Sequence, residues 1–91
     1  MKFKIEVGEV EKHWVEFHHN QLLGSLTIKV DAKPVHQVTR LINEPVREVY
    51  RIIVGHREQS EVRIEKLRKQ LLGYRNRVYV GNRLVRVFEG N

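Results

Sequence analysis

The sequence predicts an all-β domain, an antiparallel β-sandwich of about seven to eight strands. Apolar and polar residues alternate at both ends of the chain, a two-residue turn separates two valine-rich runs near the C-terminus, and glycines fall where strands would stop. The 91 residues are 41% hydrophobic and 31% charged, enough for one domain over 1–91 and a single core. Cysteine is absent, which excludes disulfides, thiolate metal sites and cysteine nucleophiles together.

Phe3, Ile5 and Val7 alternate with Lys2, Lys4 and Glu6, the pattern of a half-buried strand, and Gly8 ends it. Residues 11–18 alternate again, with Val15 and Phe17 on one face and Trp14, Glu16 and His18 on the other. Leu26, Ile28 and Val30 face inwards against Ser25, Thr27 and Lys29. Asp31-Ala32-Lys33-Pro34 reads as a turn, and Val35 to Leu41 as the returning strand. No internal repeat, low-complexity segment or linker stands out.

Two readings of the middle stay open. Val46, Val49, Tyr50 and Ile53 sit at helical spacing behind Pro45, with Gly55 as a cap, and Ile64, Leu67 and Leu71 make a second helical face closed by Gly73. That reading gives an α+β fold with one or two helices within residues 45–72. The competing reading runs strands from Val46 to Val54 and through Val62 and Ile64, both rich in β-branched residues.

At the C-terminus, Gly81-Asn82 joins Val78-Tyr79-Val80 to Arg83-Leu84-Val85 as a two-residue hairpin, Gly81 supplying positive φ. An unbroken register pairs Arg77 with Arg86 and residue 75 with residue 88. It puts Val78, Val80, Val85 and Val87 on a core face, and Arg75, Arg77, Tyr79, Leu84, Arg86 and Phe88 on the other.

The stretch Trp14-Val15-Glu16-Phe17-His18-His19, then Gly24, then Ile28-Lys29-Val30-Asp31-Ala32-Lys33, resembles the Fas apoptotic inhibitory molecule family. The likeness continues through Glu48-Val49-Tyr50, Val54-Gly55, Val62-Arg63-Ile64 and Gly81-Asn82, roughly residues 13–85. Ala32 stands where that family's turn usually carries Gly, and Lys66–Gly73 is longer and more basic than its pattern. The resemblance implies an antiparallel β-sandwich and a non-enzymatic protein; the family's eukaryotic members are linked to cell survival and protection from aggregation. It favours strands over helices in the middle.

The net charge is +6. Residues 1–45 hold six basic and six acidic side chains, whereas residues 46–91 hold eleven basic, nine of them Arg, and five acidic. An excess placed in one half points to a polyanion or an acidic protein surface, or to a well-solvated basic face. On the hairpin, Arg75, Arg77, Tyr79, Arg86 and Phe88 combine charge with rings, the mixture that binds single-stranded nucleic acid. The plainer alternative pairs these arginines with Glu61 and Glu65 on a neighbouring strand.

Other chemistry is sparse. His18 and His19 point to opposite faces, His13 and His19 lie about 20 Å apart along a strand, and no metal-binding spacing occurs. Asp31 is the single aspartate, neither Ser25 nor Ser60 has a nucleophile's setting, and no phosphate loop exists. Glu16 and His18 share a face as a conceivable acid–base pair. No apolar run approaches the ~20 residues of a membrane helix. These features predict no cofactor, no metal and no catalysis, a cytoplasmic location, and a composition leaning weakly to thermophiles. Trp14, Leu22 and Leu23 form a candidate apolar patch for a protein partner or a homodimer, unless the leucines cover the ring. The expected function is protein binding or self-association, with nucleic-acid or polyanion binding as the alternative.

Overall fold

The computed structural model describes residues 1–40, 45–69 and 73–90. It contains eight strands: β1 (Lys2–Val7), β2 (His13–Asn20), β3 (Ser25–Val30), β4 (Lys33–Thr39), β5 (Arg47–Val54), β6 (Ser60–Arg68), β7 (Tyr74–Val80) and β8 (Arg83–Gly90). They form two antiparallel sheets, ordered β1-β2-β3-β4 and β5-β6-β7-β8, packed as a β-sandwich. The helical reading of the middle is corrected. Tyr50, Val54, Val62 and Ile64 are buried on alternating strand positions, because β-branched residues pack well on a pleated surface. Leu41 and Leu71 lie outside the described residues.

Period-2 patterning fills the interior from both sheets. Val15, Phe17, Leu26 and Ile28 face Tyr50, Val62, Ile64 and Val78. Phe3 stacks between Phe17 and Phe88, with ring centroids 4.7 and 4.1 Å away, so β1 and β8 meet across the sandwich. On the opposite side His36 of β4 meets Tyr50 of β5, at 5.3 Å. Burying these side chains, at roughly 1.5–3 kcal/mol each, is the main term holding the sheets together. One interior row is polar: Glu48, Lys66 and Asn76 sit side by side across β5, β6 and β7. The Lys66 ammonium lies 3.9 Å from Glu48 and within 5.9 Å of the Tyr50 and Tyr74 rings.

The two sheets are versions of one unit, which corrects the expectation of no internal repeat. Val7-Gly8-Glu9-Val10-Glu11 joins β1 to β2, and Val54-Gly55-His56-Arg57-Glu58 joins β5 to β6. Gly8 and Gly55 adopt φ of +104° and +102°. A Cβ at either would lie about 2 Å from the carbonyl oxygen three residues on, Glu11 O at 1.9 Å and Glu58 O at 2.0 Å. Two-residue turns join β3 to β4 and β7 to β8. Each of those hairpins carries a register shift, between Ile28 and Lys29 in one and between Val78 and Tyr79 in the other. The extra residues are Val35 and Val85.

The first turn is shorter than expected. Asp31 and Ala32 alone make it, with φ of 50° and 68°. Lys33 and Pro34 already belong to β4, an edge strand, where a proline's missing N–H costs no ladder bond.

Candidate functional site

The bulge at Val85 rearranges the expected hairpin face. Val78 pairs with Arg86, Arg77 with Val87, Asn76 with Phe88 and Arg75 with Glu89. Arg77 and Arg86 are therefore not opposite each other. Arg86 shares the side of buried Val78, and its guanidinium carbon sits 5.2 Å from the Phe88 ring centre. Phe88 packs against the core instead of facing solvent, while Val87 turns outwards. The bulge exchanges a valine for a larger ring in the interior, which buries more apolar area. Of the five predicted residues, Arg75, Arg77 and Tyr79 remain together on the outer face; Arg86 and Phe88 leave it.

That outer face has other members. Ladder register sets Arg51, Arg63, Tyr79 and Leu84 in one row across β5–β8, and Val49, Glu65, Arg77 and Val87 in the next. A third row holds Arg47, Leu67, Arg75 and Glu89. These rows set five arginines among Glu65 and Glu89, while Glu61, expected to pair with them, lies opposite Ile53. Glu65 reaches Arg47 at 3.4 Å and Arg63 at 3.2 Å, and Glu89 reaches Arg75 and Lys69 at 2.9 Å. These cations hold the Glu89 carboxyl below its usual range, Lys69 contributing most. Glu65 thus takes the expected pairing role, but for Arg47 and Arg63. Among the described residues Arg51 and Arg77 have no carboxylate partner. Arg63 covers one side of the Tyr79 ring, 4.1 Å from its centre. The exposed apolar residues of this sheet, Ile53, Leu84 and Val87, stand among these charges.

Trp14 and the two leucines do not form a patch. Trp14 begins β2, whereas Leu22 and Leu23 follow its end, about 20 Å away. The ring is 45% exposed and is covered by the Lys4 ammonium, 4.8 Å from its centre, not by a leucine. Lys4 also reaches Glu16 at 3.7 Å, so the Glu16 carboxylate of the conceivable acid–base pair is engaged by a lysine.

At one end of the sandwich the equivalent loops grip each other. One Glu11 carboxylate oxygen accepts the backbone N–H of His56 at 2.7 Å; the other accepts those of Arg57 at 2.7 Å and Glu58 at 3.3 Å. Reciprocally, Glu58 accepts the backbone N–H groups of Glu9, Val10 and Glu11 at 2.9–3.0 Å. His13 lies between Glu11 and Asp31, each ring nitrogen 2.5 Å from a carboxylate oxygen. With a carboxylate at each ring nitrogen, the arrangement favours the imidazolium, which donates from both. Its pKa is raised, chiefly by Asp31 and then by Glu11. His13 in turn, with the loop amides, lowers the Glu11 carboxyl to about 2. The Glu58 carboxyl is lowered by its backbone donors.

Both open sides of the sandwich carry a groove between two free strand edges. The β1/β8 groove encloses about 590 Å³ and includes Ile5, Val7, Val80, Arg83, Val85 and Arg86. The β4/β5 groove encloses about 310 Å³ and includes His13, Val30, Asp31, Lys33, Val35 and His56. Positions correspond: Val80 and Val30 precede the turns, Arg83 and Lys33 follow them, and Ser60 and His13 open β6 and β2. Among the described residues no cluster of three or more His, Asp or Glu could hold a metal ion, and no helix is long and apolar enough to cross a membrane.

The signals for the loop clamp and the grooves were present in the chain, as the repeated Val-Gly-x-x-Glu and the paired Gln21-Leu22-Leu23-Gly24 and Gln70-Leu71-Leu72-Gly73. No protein-family model, no curated protein and no solved structure matches the chain.

Proposed function

We propose that the protein is a non-catalytic binding module whose outer β5–β8 face docks on an acidic, partly apolar protein surface. The observation that carries this is the exposed pair Arg51 and Arg77, without carboxylate partners among the described residues and set among Ile53, Leu84 and Val87. Nucleic acid fits this face less well. Phe88 is withdrawn into the core and Arg63 already covers one side of Tyr79, so few free rings remain for stacking bases. Aliphatic residues between arginines suit a protein surface, where anchors lie inside a polar rim. A second copy fits poorly through this face, since arginines would meet arginines. The resemblance to the Fas apoptotic inhibitory molecule family belongs to the same proposal: the sandwich it implies is the fold found, and it brings a non-enzymatic role.

The test is fluorescence anisotropy with two labelled probes, a capped Glu/Leu helical peptide and a single-stranded oligonucleotide of equal charge, at low and physiological salt. Saturable peptide binding at physiological salt, lost in Arg51→Glu/Arg77→Glu, supports the proposal. Oligonucleotide binding with a steep salt slope and no peptide binding replaces the protein with a nucleic acid. Binding of neither probe overturns the face as a site.

A further inference from the structure

The β1/β8 groove is a second surface, independent of the outer face. Each of its strands is hydrogen-bonded on one side only. A free edge is a row of unpaired N–H and C=O groups, the template for an added strand. The groove's apolar lining comes from Ile5, Val7, Val80 and Val85. Arg83 and Arg86 pair with Val80 and Val78, the inward side of the ladder, so both arginines project towards the groove. Both are exposed, and neither has a carboxylate partner among the described residues. The groove's carboxylates lie on its other walls, away from β8: Glu6 and Glu9 are on and beyond β1, where Lys4 adds a third cation, and Glu58 is engaged by three loop amides.

We infer that this groove receives an extended peptide segment, added along the free edge of β8, with apolar side chains for the lining valines and acidic ones for Arg83 and Arg86. Main-chain bonds supply affinity in this mode and alternate side chains supply specificity. The volume of about 590 Å³ lies within the range of ligand-binding clefts. The equivalent β4/β5 groove is smaller, about 310 Å³, and is lined by His13 and Asp31, whose counterparts in the second half are Ser60 and Gly81.

Trp14 lines this groove and is the single tryptophan of the chain, so its fluorescence reports on it. The experiment titrates the full chain with the capped pentapeptide Ac-Glu-Thr-Val-Thr-Glu-NH2, whose Glu and Val side chains share one strand face, and with its Lys counterpart, following Trp14 emission and backbone amide shifts. The expected result is a saturable change with the Glu peptide only, centred on β8 amides. Arg83→Glu/Arg86→Glu should weaken it about tenfold or more, the scale of about 1.4 kcal/mol from two reversed exposed charges. Ser60→His, which copies the narrow groove, should weaken it while leaving both arginines in place. Arg51→Glu/Arg77→Glu should leave it unchanged, which separates this site from the outer face. Absence of saturation with a folded protein, equal binding of the Lys peptide, or loss only in Arg51→Glu/Arg77→Glu overturns the inference.

Discussion

The β1/β8 and β4/β5 grooves occupy equivalent places, yet one encloses about 590 Å³ and the other about 310 Å³. Both are bounded by a glycine of the clamp loop, by the residue that closes a two-residue turn and by the bulged valine that follows. What differs is small. His13 and Asp31 join the narrow groove through a bridge that also holds Glu11, whereas Ser60 and Gly81 leave the wide one without that bridge. The backbone thus fixes where an edge groove exists, and side chains such as His13 and Asp31 line the smaller one.

The largest expected effect tests the equivalence itself. Gly8→Ala and Gly55→Ala should each cost about 3 kcal/mol or more in denaturant unfolding, because both combine strained φ with a backbone clash near 2 Å. Similar losses from the two substitutions sustain the pairing of the halves; a near-neutral result for either breaks it. A smaller effect is expected at the turns. Ala32→Gly should stabilise by about 1 kcal/mol and Gly81→Ala should destabilise by about the same, since φ is 68° at one and 63° at the other, with open space around Gly81. The backbones of the two turns differ, since Asp31 and Ala32 both have positive φ and in the other turn Gly81 alone does, so opposite signs in thermal melts would show that positive φ itself sets the preference for glycine.

The smallest effect concerns the bridge present in one half alone. The raised pKa of His13 means that its stabilisation is complete below about 6.5 and is lost as pH rises through the folded-state value. The lowered pKa of Glu11 acts in the other direction: its contribution holds above 4.5 and fades as pH falls towards about 2. His13→Ser, which copies Ser60, should remove the alkaline-side loss in a pH series of melting curves and reduce the acid-side loss to the part that the loop amides hold at Glu11. An unchanged alkaline limb would show that the bridge does not contribute.

Strand identity was legible wherever one face is buried, as at Phe3, Ile5 and Val7 or at Val15 and Phe17, because alternation is then enforced by water on the other side. The bulge at Val85 was not legible. Alternation of Val85 with Val87 fits an unbroken strand equally well, and only the opposite sheet, where Phe3 awaits a ring, selects Phe88. The single misplaced residue moved Arg86 and Phe88 off the candidate face. Arg51 and Arg63 were missed for a related reason: their neighbourhood with Arg77 and Tyr79 arises from β5 and β6, whose strand assignment the residues left open. The reciprocal clamp depends on carboxylates that look like ordinary surface charge until two distant loops are brought together.

A reciprocal clamp between equivalent loops has the form of a homodimer contact, here closed within one chain. Two separate identical subunits must accept every mutation twice, so an alteration that suits one side of their contact is imposed on the other. Joined in tandem, the halves are released from that constraint. One half has a balanced surface, while the other holds the whole cationic surplus, and the two grooves they share differ in volume. A chain of 91 residues thus carries one architecture twice with two different surface charges.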